Sequence, residues 1–268
     1  MSTAIAPGAV TEALQLEMGA KEPWPEDAEF YQPYELEQIL LPDNANCLSV
    51  QAYLRMCDLN FNLRQRSNAE HMSPSGKVPF IRAGKFVIAE MDPIISFVEQ
   101  KGITLTEHLD SSQKADMRAY MSLVSNVLGN AEAFVSWNDD TTLSEVTKKR
   151  YGSVYPWPLN SILSWQKRGQ VMRRLKALNW SSKSMSDVLN EVENCCQALS
   201  ERLDNQKYFF NNRPTELDAM VFGHLFSILT TPLPDNSMAS IVRNYKNLLE
   251  LCQNIDKEYF DRAHATPL

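Results

Sequence analysis

Cysteines, histidines and hydroxyl-bearing turns are the groups through which this chain of 268 residues could do chemistry. Cys47, Cys57, Cys195, Cys196 and Cys252 are odd in number and sit in apolar, helix-like contexts, which reads as reduced thiols in a cytosolic setting. No CxxC and no Cys/His ligand spacing occurs, so the pattern argues against a zinc site. Cys195 and Cys196 are neighbours on one helix, where their side chains diverge and bridge poorly. His71, His108, His224 and His264 are scattered along the chain. His224 falls in an apolar helical run and is expected to be a satisfied buried histidine, not a base. The nine glycines form no phosphate-cradling loop. No catalytic residue, cofactor or metal ligand is assigned, and oxidant sensing by Cys47 or Cys195 stays open as a redox alternative.

The least ordinary run is Ser73, Pro74, Ser75, Gly76, Lys77, Val78, Pro79 and Phe80, followed by a strand-like stretch and Glu90. Proline cannot donate to a sheet ladder, so Pro79 belongs at a strand start or edge, where X-Pro bonds are often cis. The neighbouring elements read in the order β-α-β-β-β-α. Glu37 to Leu41 reads as a strand stopped by Pro42 and Asp43, and Asp43 or Asn44 as the cap of a helix through Leu48, Ala52, Met56 and Leu59. Phe61 to Arg66, Val78 to Ile81 and Phe86 to Ala89 read as strands, the last two joined at Gly84. Residues 67–77 have room for a further helical turn, and Asp92 is expected to cap a helix through Ile94, Ile95 and Val98. This arrangement resembles the thioredoxin-like half of the glutathione-transferase superfamily.

Beyond Leu105 strand signals end, and amphipathic helices are expected near 111–138, 141–150, 159–178, 184–204, 215–231 and 237–260. The fold class is therefore an α/β thioredoxin-like N-terminal domain plus an all-α C-terminal domain. The expected divisions are an acidic tail at 1–35, domains at 36–105 and 106–262, and a short tail at 263–268. Thr215 and Asp218 have the spacing of a capping box, in which each residue satisfies the other's backbone amide at a helix start. The pair resembles the capping box of the core helix in glutathione transferases. Pro79, Glu90, Thr215 and Asp218 are expected to be structural.

The same resemblance implies a donor just after the first strand to hold a glutathione thiolate. Here Asp43 would repel a thiolate, Asn44 could donate but is not the favoured choice, and Cys47 falls about one turn into the helix, where it reads as a packing thiol. Met91 stands after Glu90, where that superfamily commonly offers a Ser or Thr. The frame survives without its polar contacts, so an atypical cytosolic glutathione-dependent transferase is the rival reading rather than the preferred one.

Arg150 to Asn160 is the most individual segment, with the aromatics Tyr151, Tyr155 and Trp157 and two prolines around Trp157 that force an extended turn. These aromatics read equally as a plug between helices or as a docking surface. This segment, Glu22 to Glu26, Glu37 to Leu41, Asn68 to Phe80, Cys195 to Leu199 and Tyr208 to Asp218 together resemble the metaxin family, in its branch without a tail anchor. The resemblance runs from about residue 20 to 262. It implies a non-enzymatic adaptor, peripheral on the cytosolic face of the mitochondrial outer membrane. Its implied partners are a tail-anchored metaxin, the machinery that sorts and assembles β-barrel proteins, and motor-adaptor complexes that move mitochondria.

Charge is placed unevenly within a net of −7, which argues against wholesale nucleic-acid binding. Residues 1–46 carry nine acids against Lys21 alone, while residues 146–186 carry nine basic residues and no acid. The basic segment reads as a solvated face, as a partner for the acidic tail, or as a surface for anionic lipid or an acidic protein. Tyr155, Trp157, Arg168, Arg173 and Arg174 are the candidates for a partner or membrane interface. Reversing Arg173 and Arg174 to Glu is expected to weaken membrane association without unfolding. No basic leader precedes Glu12 and Glu17, and no stretch has the length of a membrane span. Met220 to Leu233 comes nearest and is interrupted by His224 and Pro232. No tail anchor is expected at the C-terminus.

Overall fold

A computed structural model of the chain describes residues 22–260. Its first half is a four-stranded sheet in the order β2-β1-β3-β4, built from β1 (Glu29–Gln32), β2 (Asn62–Gln65), β3 (Phe80–Ala83) and β4 (Phe86–Ala89). β1 runs parallel to β2 and antiparallel to β3, with Phe30 opposite both Leu63 and Ile81. The parallel pair needs a crossover, supplied by α1 (Leu41–Met56). A short α2 (Ala69–Met72) precedes β3, and α3 (Met91–Gln100) follows β4.

The start of this half corrects the sequence expectation. β1 lies at Glu29–Gln32, inside the stretch assigned to a tail, and residues 35–38 form a turn. Leu41 already belongs to α1, with Pro42 in its first turn. Pro42 starts the helix instead of stopping a strand, because the first helical amides have no internal partner to lose. Neither Asp43 nor Asn44 caps it; Leu40 does, without a side-chain hydrogen bond. α3 likewise begins at Met91 behind Glu90, not behind Asp92. The third strand starts two residues later than expected, and the fourth matches. The expected tail segments 1–21 and 263–268 lie outside the described residues.

The second half is helical: α4 (Ser111–Trp137), α5 (Asp140–Thr142), a π-helical turn (Leu143–Thr147), α6 (Lys148–Gly152), α7 (Leu159–Ala177) and α8 (Met185–Leu203) come first. Then follow α9 (Glu216–Thr230), α10 (Ser237–Arg243), α11 (Lys246–Ile255) and a closing π-helical turn (Asp256–Phe260). Reciprocal capping boxes open α4 (Asp110 with Gln113) and α8 (Ser184 with Asp187). The expected helix at 237–260 is broken in two at Asn244 and Tyr245.

α9 is the axis of the molecule, buried along nearly its whole length. It lies directly on α1. A Cβ at Gly223 would stand 2.1 Å from Ser49 Oγ and 2.5 Å from the Ala45 carbonyl oxygen, so only glycine permits this approach. The core is continuous across both halves, from Phe30 through Tyr53, Leu128 and Phe222 to Ile255.

Candidate functional site

A cleft of about 680 Å³ opens where the sheet half meets the helices. Its floor is the first turn of α1, with Pro42, Asp43 and Asn46. One wall is Lys77, Val78 and Pro79 together with Glu90 and Met91; the other is Gly129, Ala133 and Trp137 of α4 with Lys167, Val171 and Arg174 of α7. Met220 and His224 of α9 close the back.

Of the four residues expected to be structural, Pro79 and Glu90 line the cleft, while Thr215 and Asp218 lie at the start of α9 and do not. The Val78–Pro79 peptide is cis. The Glu90 backbone N–H donates to the Pro79 carbonyl at 3.2 Å, and the Glu90 carboxylate pairs with Lys77. Glu90 holds φ +70°, a left-handed conformation that turns the chain sharply into α3. At α9, the backbone N–H and the hydroxyl of Thr215 each donate to Asp218 Oδ2 at 2.8 Å. Asp218 Oδ1 accepts the Phe209 N–H at 2.9 Å, which ties the incoming loop to the helix start.

Lys167 pairs with Glu70, and Tyr151 donates to the same carboxylate at 3.2 Å. Burial pushes Asp43 up to about 6, with Lys167 working against that shift and Glu70 adding to it. Burial works against the Lys167 ammonium, but Asp43 and Glu70 outweigh it and raise its pKa. His224 Nδ1 lies 2.8 Å from Glu132 Oε1, with both side chains buried, as expected of a satisfied core histidine. Burial raises the Glu132 pKa, and His224 opposes that.

Thiol chemistry has poor footing here. Cys47 is buried, and burial, followed by the field of Asp43, holds its thiol far above the usual range. Burial also raises Cys195 and holds Cys196 up at about 12, so each stays in its less reactive protonated form. All five cysteines are free. Met91 places a thioether, not a hydroxyl, beside Glu90. Among the described residues no three His, Cys, Asp or Glu side chains are grouped as metal ligands.

The Arg150 to Asn160 segment divides. Tyr151 is buried edge-on to Trp137, and the Tyr155 hydroxyl donates to the Ser67 carbonyl at 3.2 Å, so both reach inward to the sheet half. Trp157 points away and is 82% exposed. The arginines divide as well. Arg168 donates to the Trp137 carbonyl and reaches Asp140, Arg174 lines the cleft, and Arg173 is exposed elsewhere on α7. Sequence reading missed Glu70, Lys167 and Glu132. Only Glu132 left a trace, as an acid amid the apolar end of α4; the other two meet across distant segments.

Residues 47–168 match the Tom37 family of outer mitochondrial membrane transport complex proteins, and residues 192–255 match the C-terminal domain of glutathione S-transferases. The chain is 53% identical to Metaxin-2 of Homo sapiens over 252 residues, which is 94% of this chain and 96% of that protein. It is 34% identical to Metaxin-1 of Mus musculus over 223 residues, 80% of this chain and 70% of that protein. Among solved structures it is similar to glutathione transferase F7 from Populus trichocarpa, with a TM-score of 0.54 and 14% identity over 90% of this chain and 100% of that one. At that identity the likeness is one of fold.

Proposed function

Because the chain belongs to the metaxin family, we propose that it is a non-enzymatic adaptor subunit at the cytosolic face of the mitochondrial outer membrane. In this reading it pairs with a tail-anchored metaxin and supports import and assembly of β-barrel proteins. The observation that carries the proposal is the 53% identity to Metaxin-2 across 94% of the chain. The match of residues 47–168 to outer mitochondrial membrane transport complex proteins supports the location. The relationship to Metaxin-1 supports a partner within an outer-membrane complex. No helix among the described residues is long and apolar enough to cross a membrane, which suits attachment through a partner. The ion pair of Lys167 with Glu70, which links the two halves across the cleft, supports a scaffold.

Affinity capture of the tagged full chain from gently solubilised mitochondria tests this. Co-purification of a tail-anchored metaxin and an outer-membrane β-barrel insertase is the expected result. Recovery of motor-adaptor components in their place would move the adaptor to mitochondrial transport. A chain recovered alone, retained by glutathione-agarose and turning over an electrophile, would overturn the proposal in favour of an atypical transferase.

A further inference from the structure

On α7, successive residues turn by about 100° and rise about 1.5 Å. Ile162, Trp165, Gly169, Arg173 and Lys176 therefore fall on one line about 21 Å long. The opposite side of the helix carries the buried Ser164 and Leu175 and packs on the protein. The line faces solvent: Trp165 is 76% exposed, Ile162 is 48% exposed, and Arg173 and Lys176 are also exposed. Trp157, at the entry to the helix, adds a second exposed indole. A Cβ at Gly169 would meet nothing, so the middle of the line is low and open.

We infer that this outward line of α7, with Trp157, is a docking face for a membrane surface rich in anionic phospholipid. Charge is the first argument. The molecule carries a net charge of −7, yet residues 146–186 contain no Asp or Glu. The ion pairs of that segment involve Lys167, Arg168 and Lys183, and among the described residues none reaches Arg173 or Lys176. An anionic surface would repel the molecule in most orientations and attract it in this one. Composition is the second argument. Indole rings settle at the headgroup level of a bilayer, with basic residues reaching the phosphates beside them. Shape is the third, because the outward side of a single helix, packed on the protein only along its opposite side, is accessible to a flat surface along its length. Each well-placed basic residue contributes about fivefold to partitioning onto anionic lipid. The face would fix how the adaptor stands on the membrane. The inference requires no partner protein, so it can fail or hold apart from the proposed function.

The test is co-sedimentation of the purified full chain with vesicles of phosphatidylcholine alone or with added cardiolipin. Binding only to the cardiolipin vesicles, weakened by salt, is the expected result. Arg173→Glu with Lys176→Glu should lower partitioning at least about 25-fold. Reversing Arg243 and Lys246, exposed on α10 and α11, makes the same change in net charge and should leave it near wild type. Brominated phospholipid should quench tryptophan emission in the wild type and much less in Trp157→Ala/Trp165→Ala. Circular dichroism confirms that each variant is folded. No sedimentation with anionic vesicles, equal binding to neutral ones, or equal losses from the two charge reversals would overturn the inference. So would variants that lose a captured protein partner while the wild type ignores vesicles, since the face would then be a protein surface.

Discussion

Glu216 occupies the first turn of α9, with its side chain buried and neither carboxylate oxygen hydrogen-bonded. A helix N-terminus favours an anion, but that advantage is small against the loss of water around a charge. Burial accordingly pushes Glu216 up to about 7. Two residues on, Asp218 is buried too, and burial raises it to about 6 while the donors Phe209 and Thr215 work against that shift. A carboxyl whose folded pKa is raised takes up a proton on folding, so its contribution is complete below the unfolded pKa and is lost as pH climbs through the folded one. For Glu216 that window runs from its ordinary 4.5 to about 7. Glu216→Gln should therefore gain stability on the wild type as pH rises across this window, by on the order of 2 kcal/mol at pH 8 relative to pH 4.5. Urea denaturation of both proteins at the two pH values measures it. A pH-independent difference would mean that Glu216 stays ionised and finds a counter-charge. Asp218→Asn should behave otherwise, losing stability at every pH because one amide group cannot accept all three donors.

At the scale of elements, the crossing of α1 and α9 is the most demanding contact. Gly223→Ala would drive a methyl into Ser49 Oγ at 2.1 Å and into the Ser49 amide nitrogen at 2.4 Å. Backbone cannot move aside as a flexible side chain can, so the helices must separate. The expected loss is about 3 kcal/mol, a fall of roughly 6–12 °C in Tm. Gly169→Ala on α7, with open space at its Cβ, should instead gain about 0.5–1 kcal/mol from helix propensity. Thermal melts of the two variants decide the matter, and equal shifts would contradict this account of the crossing. The helices themselves were legible from the sequence, since periodicity and the Thr215–Asp218 cap mark their faces and ends. The first strand was not. In Glu29–Gln32 only Phe30 is a fully buried apolar side chain; Tyr31 is half-buried and stacks on Phe80, and Gln32 is buried with a hydrogen bond from Gln51. The apolar run Ile39 to Leu41 drew the strand assignment instead, although burial there serves a turn and a helix start. The cleft was half legible. Pro79 and Glu90 announce one wall, but Glu70 and Lys167 come from separate halves and leave no local pattern.

Across the whole molecule, those links make two architecturally different halves one unit. The apolar core passes from the sheet through α1 into α9 as one continuous cluster. Arg55 of α1 donates to the Tyr259 carbonyl at 3.0 Å, and its guanidinium lies 4.1 Å from the centre of the Phe260 ring, which folds the end of the described chain back onto the first helix. On the other side, Arg150 donates to the carbonyls of Glu35 and Leu36. Neither half can unfold without exposing apolar surface on the other, so a domain boundary near residue 105 would separate architectures but not stabilities. The protein should show a single unfolding transition, with equal calorimetric and van't Hoff enthalpies. Loss of helical circular dichroism should coincide with the tryptophan signal, to which Trp24 contributes from the sheet half and Trp137 and Trp180 from the helices. A fragment covering 22–105 should fail to fold, because α1 would present to water the face that α9 covers. Gly223→Ala supplies the stronger form of this test: by loosening only the α1–α9 crossing, it should split or broaden the transition as well as lower it. Two separate transitions in the wild type, or a stably folded fragment, would show that the halves are merely adjacent.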